Sequence, residues 1–167
     1  RLVAEIECLK QNINNMRLFI SGSAPLSSEL HSKFKKITGY DILERYGMTE
    51  TNMISSNPYF GTRRSGTVGL PLPGVNVRIR DTKTGKIVGN NSVGVIEVKG
   101  PNVFDGYWKM KERKKLDFNS DGFFITGDLG FFDAFGYLNI SGRDKDLIIS
   151  GGFNVYPAEV ERVIDAL

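Results

Sequence analysis

The chain has 167 residues, 40% hydrophobic and 25% charged, with 22 Lys and Arg against 19 Asp and Glu for a net charge of +3. That is an ordinary globular balance with enough length for a real core, and the positive excess is too small and too scattered for a nucleic-acid surface. A single cysteine, Cys8, excludes an intramolecular disulfide framework, and no apolar run approaches the roughly 18 residues of a membrane span. The opening Arg-Leu-Val-Ala-Glu has neither an initiator Met nor a cleavable apolar segment, so the chain reads as an internal piece of a longer protein in a reducing compartment. The expected location is cytoplasmic, or the mitochondrial matrix in a eukaryote.

Residues 1–14 carry apolar positions at helical spacing, Leu2, Ile6 and Leu9, and predict a helix. Leu18-Phe19-Ile20 reads as a short buried strand, and Ser21-Gly22-Ser23-Ala24-Pro25 as the turn after it. A second helix starts near Ser27, with Leu30, Phe34 and Ile37 on one face, Lys35 and Lys36 in its last turn and Gly39 placed to end it. Ile42-Leu43 predicts the next strand. Strand, helix, strand makes a βαβ unit, and ligands bind such sheets beyond the carboxyl ends of the strands. Both Gly22–Pro25 and the turn expected after Leu43 fall there.

Beyond residue 60 the pattern becomes β. Gly66 to Gly74 is a loop punctuated by Gly and Pro. Val75, Val77 and Ile79 alternate with Asn76, Arg78 and Arg80 as a half-buried strand, then Asp81 to Gly85 turns and Val93 to Val98 forms another strand. Phe123-Phe124-Ile125 and Tyr137 to Ile140 are two more, with Asp133 to Gly136 turning between them. Pro157-Ala158-Glu159 opens a last helix whose apolar positions are Val160, Val163, Ile164 and Leu167. The fold class is therefore α/β, a βαβ unit beside a small β subdomain.

Three stretches carry chemistry. Glu44-Arg45-Tyr46-Gly47-Met48-Thr49-Glu50 puts a guanidinium, an aromatic face, a hydroxyl and two carboxylates into seven residues. It reads either as a strand end running into a polar turn or as a ligand site. In the second case Gly47 permits a tight turn or close approach, Tyr46 faces a base, Thr49 donates to a phosphate and Glu50 offers a hard oxygen to Mg²⁺. Thr126-Gly127-Asp128, directly after a strand, is either an Asp stabilising its own turn or a carboxylate accepting from two adjacent ribose hydroxyls. Gly142-Arg143-Asp144-Lys145-Asp146, followed by Leu147-Ile148-Ile149 and Ser150-Gly151-Gly152, is either a solvated linker or a hinge that absorbs a large rotation.

In this order, Gly22 to Pro25, Tyr46 to Glu50, Thr126 to Asp128 and Gly142 to Asp146 resemble successive motifs of the adenylate-forming enzymes, the superfamily of acyl-CoA synthetases, luciferases and peptide-synthetase adenylation domains. The resemblance implies the carboxyl-terminal part of a large AMP-binding domain over residues 1–144 and the start of a small mobile domain over 145–167. It implies that Gly22, Ser23, Ala24, Pro25, Glu44, Tyr46, Gly47, Met48 and Thr49 surround ATP or AMP, that Asp128 and Arg143 bind its ribose, and that Glu50 holds Mg²⁺. Lys145 becomes the hinge, and Gly151 and Gly152 line the path of coenzyme A. Ser21 to Leu26, Glu44 to Met53, Ser56 to Tyr59, Gly100 to Phe104, Gly106-Tyr107-Trp108, Asp121 to Gly130 and Asp146 to Pro157 are similar to the malonyl-CoA synthetase subfamily.

The implied activity is an AMP-forming ligase whose substrates are ATP, malonate and coenzyme A, with Arg45, helped by Ser23, as the cation for malonate's second carboxylate. The family's upstream phosphate-cradling loop and its terminal adenylation lysine have no counterpart in these residues, so the isolated piece is expected to be inactive. Two alternatives stay open: a ligase for another acid or for a carrier protein, and a nucleotide-binding piece without catalysis.

Overall fold

A computed structural model describes residue 13, residues 15–110, residue 112 and residues 116–165. The helix expected over residues 1–14 lies, except for residue 13, outside the described residues, as do Cys8 and the terminal Leu167. The first layer is a four-stranded sheet, β1 (Ile20–Ser21), β2 (Leu43–Met48), β3 (Asn52–Ser56) and β4 (Leu70–Pro71), in that spatial order. β1 and β2 are parallel and joined by helix α1 (Ser28–Thr38), which is the expected βαβ unit; β3 and β4 continue the sheet antiparallel.

α1 forms where its caps permit. The Ser27 hydroxyl accepts from the Leu30 amide at 3.1 Å, and Gly39, at φ 79°, donates its amide to the Lys35 carbonyl at 2.8 Å. Phe34 and Ile42 form a small core with Phe19, Leu26, Ile37 and Tyr40. Leu30, expected on that face, is instead exposed, because the inward position one residue on is taken by His31, 3% exposed.

The second layer is an antiparallel five-stranded sheet: β5 (Asn76–Arg80), β6 (Ile87–Val88), β7 (Gly94–Lys99), β8 (Phe124–Phe132) and β9 (Leu138–Arg143), in the order β6-β5-β7-β8-β9. The main core belongs to both layers. Ile54 of β3 packs with Ile79, Ile96, Val98 and Leu138, and the Tyr46 ring joins them. Backbone bonds from Val68 to the Leu138 carbonyl and from Leu138 to the Gly69 carbonyl seam the sheets together. On β7 the buried Glu97 is gripped by the guanidinium Nε atoms of Arg78 and Arg80, each at 2.6 Å.

After β9 come a 3-10 turn (Asp144–Asp146), the hairpin β10 (Ile148–Ser150) and β11 (Phe153–Val155), and helix α2 (Pro157–Asp165). Gly151 and Gly152 take φ 56° and 84°, the two positive values a two-residue hairpin turn of this hand requires. Among the described residues no helix is long and apolar enough to cross a membrane.

Several boundaries differ from the sequence expectation. The first strand is Ile20–Ser21 rather than Leu18 to Ile20. Tyr46, Gly47 and Met48 lie inside β2, and the turn is confined to Thr49–Thr51, closed by the Thr51 amide on the Met48 carbonyl at 3.1 Å. Gly47 makes no tight turn; a Cβ there would sit 2.1 Å from the Asn52 carbonyl oxygen, so the close approach its missing side chain permits is that of the neighbouring strand. Thr126-Gly127-Asp128 lies within β8 rather than after a strand, and Gly142 and Arg143 end β9 rather than forming a linker. Strands β3, β4, β6 and β11 were not expected. Their sequences are short or polar, and cross-strand pairing rather than local propensity makes them strands.

Candidate active site

The two layers part along one edge into a cleft of about 240 Å³. One wall is the segment Gly22 to Leu26 at the carboxyl end of β1; the floor is Glu44 to Met48 of β2; the far wall is Asp128, Gly142 and Arg143 of β8 and β9. The βαβ rule thus places β1 and β2 as expected, while the far wall depends on the antiparallel sheet. Ser23 holds φ 73°, a left-handed conformation rare for a residue other than glycine, and such strain concentrates at ligand sites.

Asp128 is the electrostatic centre of the far wall. It is 5% exposed; its Oδ2 accepts from the Tyr46 hydroxyl at 2.5 Å and its Oδ1 from Arg143 Nε at 3.0 Å. Burial pushes its carboxyl up, against the opposing effects of Tyr46 and Arg143. The Tyr46 phenol is pushed far up, first by burial and then by the negative charge beside it, so it stays a donor. An ionised carboxylate has about four acceptor positions, and two are used, so two remain for a pair of adjacent hydroxyls. Tyr46 both packs against the main core and lines the cleft.

Arg45 lies on the floor with its guanidinium against the Gly22 backbone: a Cβ on Gly22 would fall 2.9 Å from Arg45 Cζ and Nη1. Among the described residues it has no ion-pair or hydrogen-bond partner, unlike Arg63, Arg78, Arg80 and Arg143. Glu44 also borders the cleft but is turned inward. Its Oε1 meets His31 Nδ1 at 3.3 Å and the Gly66 amide at 3.2 Å, and burial raises its pKa in spite of them. These bonds tie strand β2 to the loop at Gly66, where Asn57 also donates to the Glu44 and Thr67 carbonyls.

Thr49 and Glu50 sit on the turn beyond β2, outside the lining of this cleft, and Glu50 Oε1 accepts from the Tyr107 hydroxyl at 2.6 Å. Lys145 in the 3-10 turn and Gly151 and Gly152 in the hairpin are exposed and also outside it. Among the described residues no three His, Cys, Asp or Glu side chains are grouped to hold a metal ion. Glu50 and Thr49 nevertheless fit Mg²⁺ carried by a nucleotide, which takes one or two protein oxygens and completes its shell with phosphates and water.

Residues 3–108 match the family described as AMP-binding enzyme. The chain belongs to that family. It is 43% identical over 150 residues to the malonate–CoA ligase of Arabidopsis thaliana, covering 89% of this chain and 24% of that protein. It is 37% identical over 154 residues to a long-chain-fatty-acid–CoA ligase of Bacillus subtilis, covering 92% and 27%. ATP-bound MatB from Rhodopseudomonas palustris shares the fold with a TM-score of 0.91 and 59% identity, over 95% of this chain and 31% of that one. The chain therefore spans about a quarter of the length of these curated relatives.

The sequence picked out the segments that make the cleft, Gly22 to Pro25, Glu44 to Met48, Asp128 and Arg143. It missed Gly66, Val68 and Ile140, which complete the lining, and the His31 contact behind Glu44. No local signal marks these, because each is brought in by pairing between distant segments.

Proposed function

We propose that this chain is the nucleotide- and acid-binding part of an AMP-forming ligase that activates malonate and passes it to coenzyme A. The observation that carries the reading is Arg45, a guanidinium without a carboxylate partner in the same cleft as the Tyr46–Asp128–Arg143 group. Malonate differs from acetate or a fatty acid by a second carboxylate, and a desolvated carboxylate without a counter-charge is very costly. A planar guanidinium can grip it through two parallel hydrogen bonds, and Ser23, which lines the same cleft, would add a hydroxyl.

In the first half-reaction a malonate oxygen bonds to the α-phosphorus of ATP and pyrophosphate leaves. Tyr46 and the Gly22 to Pro25 segment flank the base, while Asp128 and Arg143 hold the ribose. The Thr49 hydroxyl donates to the α-phosphate, and catalysis here is positioning and charge stabilisation, with no covalent nucleophile on the chain. Mg²⁺, when bound through Glu50, would offset negative charge on the phosphates. In the second half-reaction the thiol of coenzyme A forms a C–S bond as the C–O bond to AMP breaks. For that step residues 145–167 would rotate as a separate unit about Lys145, bringing Gly151 and Gly152 to the thiol's path.

The test is acid-dependent ATP–pyrophosphate exchange by the enzyme carrying this chain, over acetate, propionate, malonate and long-chain acids. Charge-assisted hydrogen bonds contribute roughly 1.5–3 kcal/mol each. Losing two in Arg45→Ala lowers malonate kcat/KM on the order of 10²- to 10⁴-fold at 1.36 kcal/mol per decade, while exchange with acetate or propionate holds or rises. Malonate exchange unchanged by the substitution, or exchange dependent on a long-chain acid instead, rejects the malonate assignment.

A further inference from the structure

The turn bearing Thr49 and Glu50 is held from behind by residues 100–107, which belong to no strand. Asn102 Nδ2 donates to the carbonyls of Thr51 at 2.7 Å and Met53 at 3.1 Å, and the Phe104 amide donates to the Glu50 carbonyl at 2.8 Å. Asn102 Oδ1 is buried without a hydrogen-bond partner, so its amide is oriented by the turn it serves even though one of its own atoms goes unsatisfied. The Phe104 ring anchors the segment edge-on to Phe124 at 5.4 Å and to Tyr107 at 5.0 Å. Tyr107, thus fixed, donates its hydroxyl to Glu50 Oε1 at 2.6 Å.

We infer that Tyr107 is a positioning residue for the metal–nucleotide site, aiming the Glu50 carboxylate by occupying one oxygen so that the other faces the ligand. The inference rests on the reading of Glu50 as the Mg²⁺ oxygen. Its physical basis is that a ligating carboxylate left free must lose side-chain entropy on each binding event, whereas one already held by a neighbour does not. Loss of such a supporting hydrogen bond typically weakens metal binding about 10- to 100-fold.

The probe is Mn²⁺, which accepts the same oxygen ligands and can be followed by its paramagnetic signal in the presence of ATP. Tyr107→Phe keeps the ring and its packing on Phe104 and removes the hydroxyl that donates to Glu50. Mn²⁺ in the ATP complex is expected to bind about 10- to 100-fold more weakly to Tyr107→Phe than to wild type. In pyrophosphate exchange the half-saturating Mg²⁺ concentration rises by a similar factor, and the rate recovers at saturating Mg²⁺. Glu50→Gln should weaken Mn²⁺ binding at least as much, and adding Tyr107→Phe to it should have no further effect. Wild-type Mn²⁺ affinity in Tyr107→Phe alongside a loss in Glu50→Gln overturns the positioning role while leaving Glu50 as the ligand. A lowered melting temperature with unshifted Mn²⁺ affinity also overturns it. Unchanged Mn²⁺ affinity in Glu50→Gln rejects the reading of Glu50 itself, and with it this inference.

Discussion

Asp128→Asn is expected to separate nucleotide recognition from stability. Asp128 is almost fully buried, and its two bonds in this structure leave acceptor positions for two ribose hydroxyls. A bond to an ionised acceptor contributes roughly 1.5–3 kcal/mol against about 1 for a neutral one, so two bonds lose about 1–4 kcal/mol when the charge is removed. At 1.4 kcal/mol per decade that is a factor of about 5 to 10³ in AMP affinity. The stability effect has the opposite sign. Burial raises the carboxyl's pKa in the folded chain, so the folded state holds this proton more tightly than the unfolded state does. Wild type therefore loses stability as pH climbs from the ordinary Asp value of 3.8 through the raised folded value, and a neutral Asn does not incur that loss. The Arg143 side chain is 63% exposed and rehydrates readily when its partner changes. Calorimetric titration of the intact protein with AMP and 2′,3′-dideoxy-AMP at pH 7 should show wild type preferring AMP and the mutant nearly indifferent. Thermal melting should find the mutant at least as stable at pH 7, with the advantage gone in acid. An Asp128→Asn protein that keeps the full preference for the ribose hydroxyls would refute the assignment.

Glu97→Gln should destabilise the protein by about 2–3 kcal/mol at neutral pH, below the cost of a fully buried broken pair because both arginines keep some contact with water. The two guanidinia hold the Glu97 carboxyl below its ordinary value despite burial, so wild type's advantage is present above 4.5 and is lost as pH falls through the lowered folded value; denaturant melts at pH 7 and pH 3 that show the same gap would contradict this. Gly47→Ala should cost about 1–3 kcal/mol, because the added methyl meets the Asn52 carbonyl at 2.1 Å and the obstacle is backbone. Unchanged stability there would mean that the β2–β3 hairpin has room the geometry denies.

The legible parts of the fold were those whose signals are local. Ser27, Phe34 and Gly39 mark α1 at its start, buried face and end, and the Val77–Ile79 alternation marks β5. Asn52-Met53-Ile54-Ser55-Ser56 has one strong strand former, and only its place between β2 and β4 makes it a strand. The sequence places Thr-Gly-Asp directly after the Phe-Phe-Ile strand; Gly127 does take φ 74°, yet the ladder to β9 resumes through Asp128. For the site, segments were legible and orientations were not. Glu44 and Tyr46 both line the cleft, but the sequence does not show that the Glu44 carboxylate meets His31 or that the Tyr46 hydroxyl meets Asp128. Buried partners 13 and 82 residues away decide both orientations, and no sequence window contains them.

The Tyr46 ring is rooted in one sheet, packed in the core of the other and bonded to Asp128 across the cleft. A nucleotide that touches Gly22 to Pro25 and Asp128 at once can bind only while the two sheets are docked. By mass action, ligand at 100 times its dissociation constant adds about 2.7 kcal/mol to that docking. On the proposed reading, occupancy of the cleft would add to the shared core in keeping the layers together, and protection from protease and amide exchange along this seam would rise with the nucleotide bound.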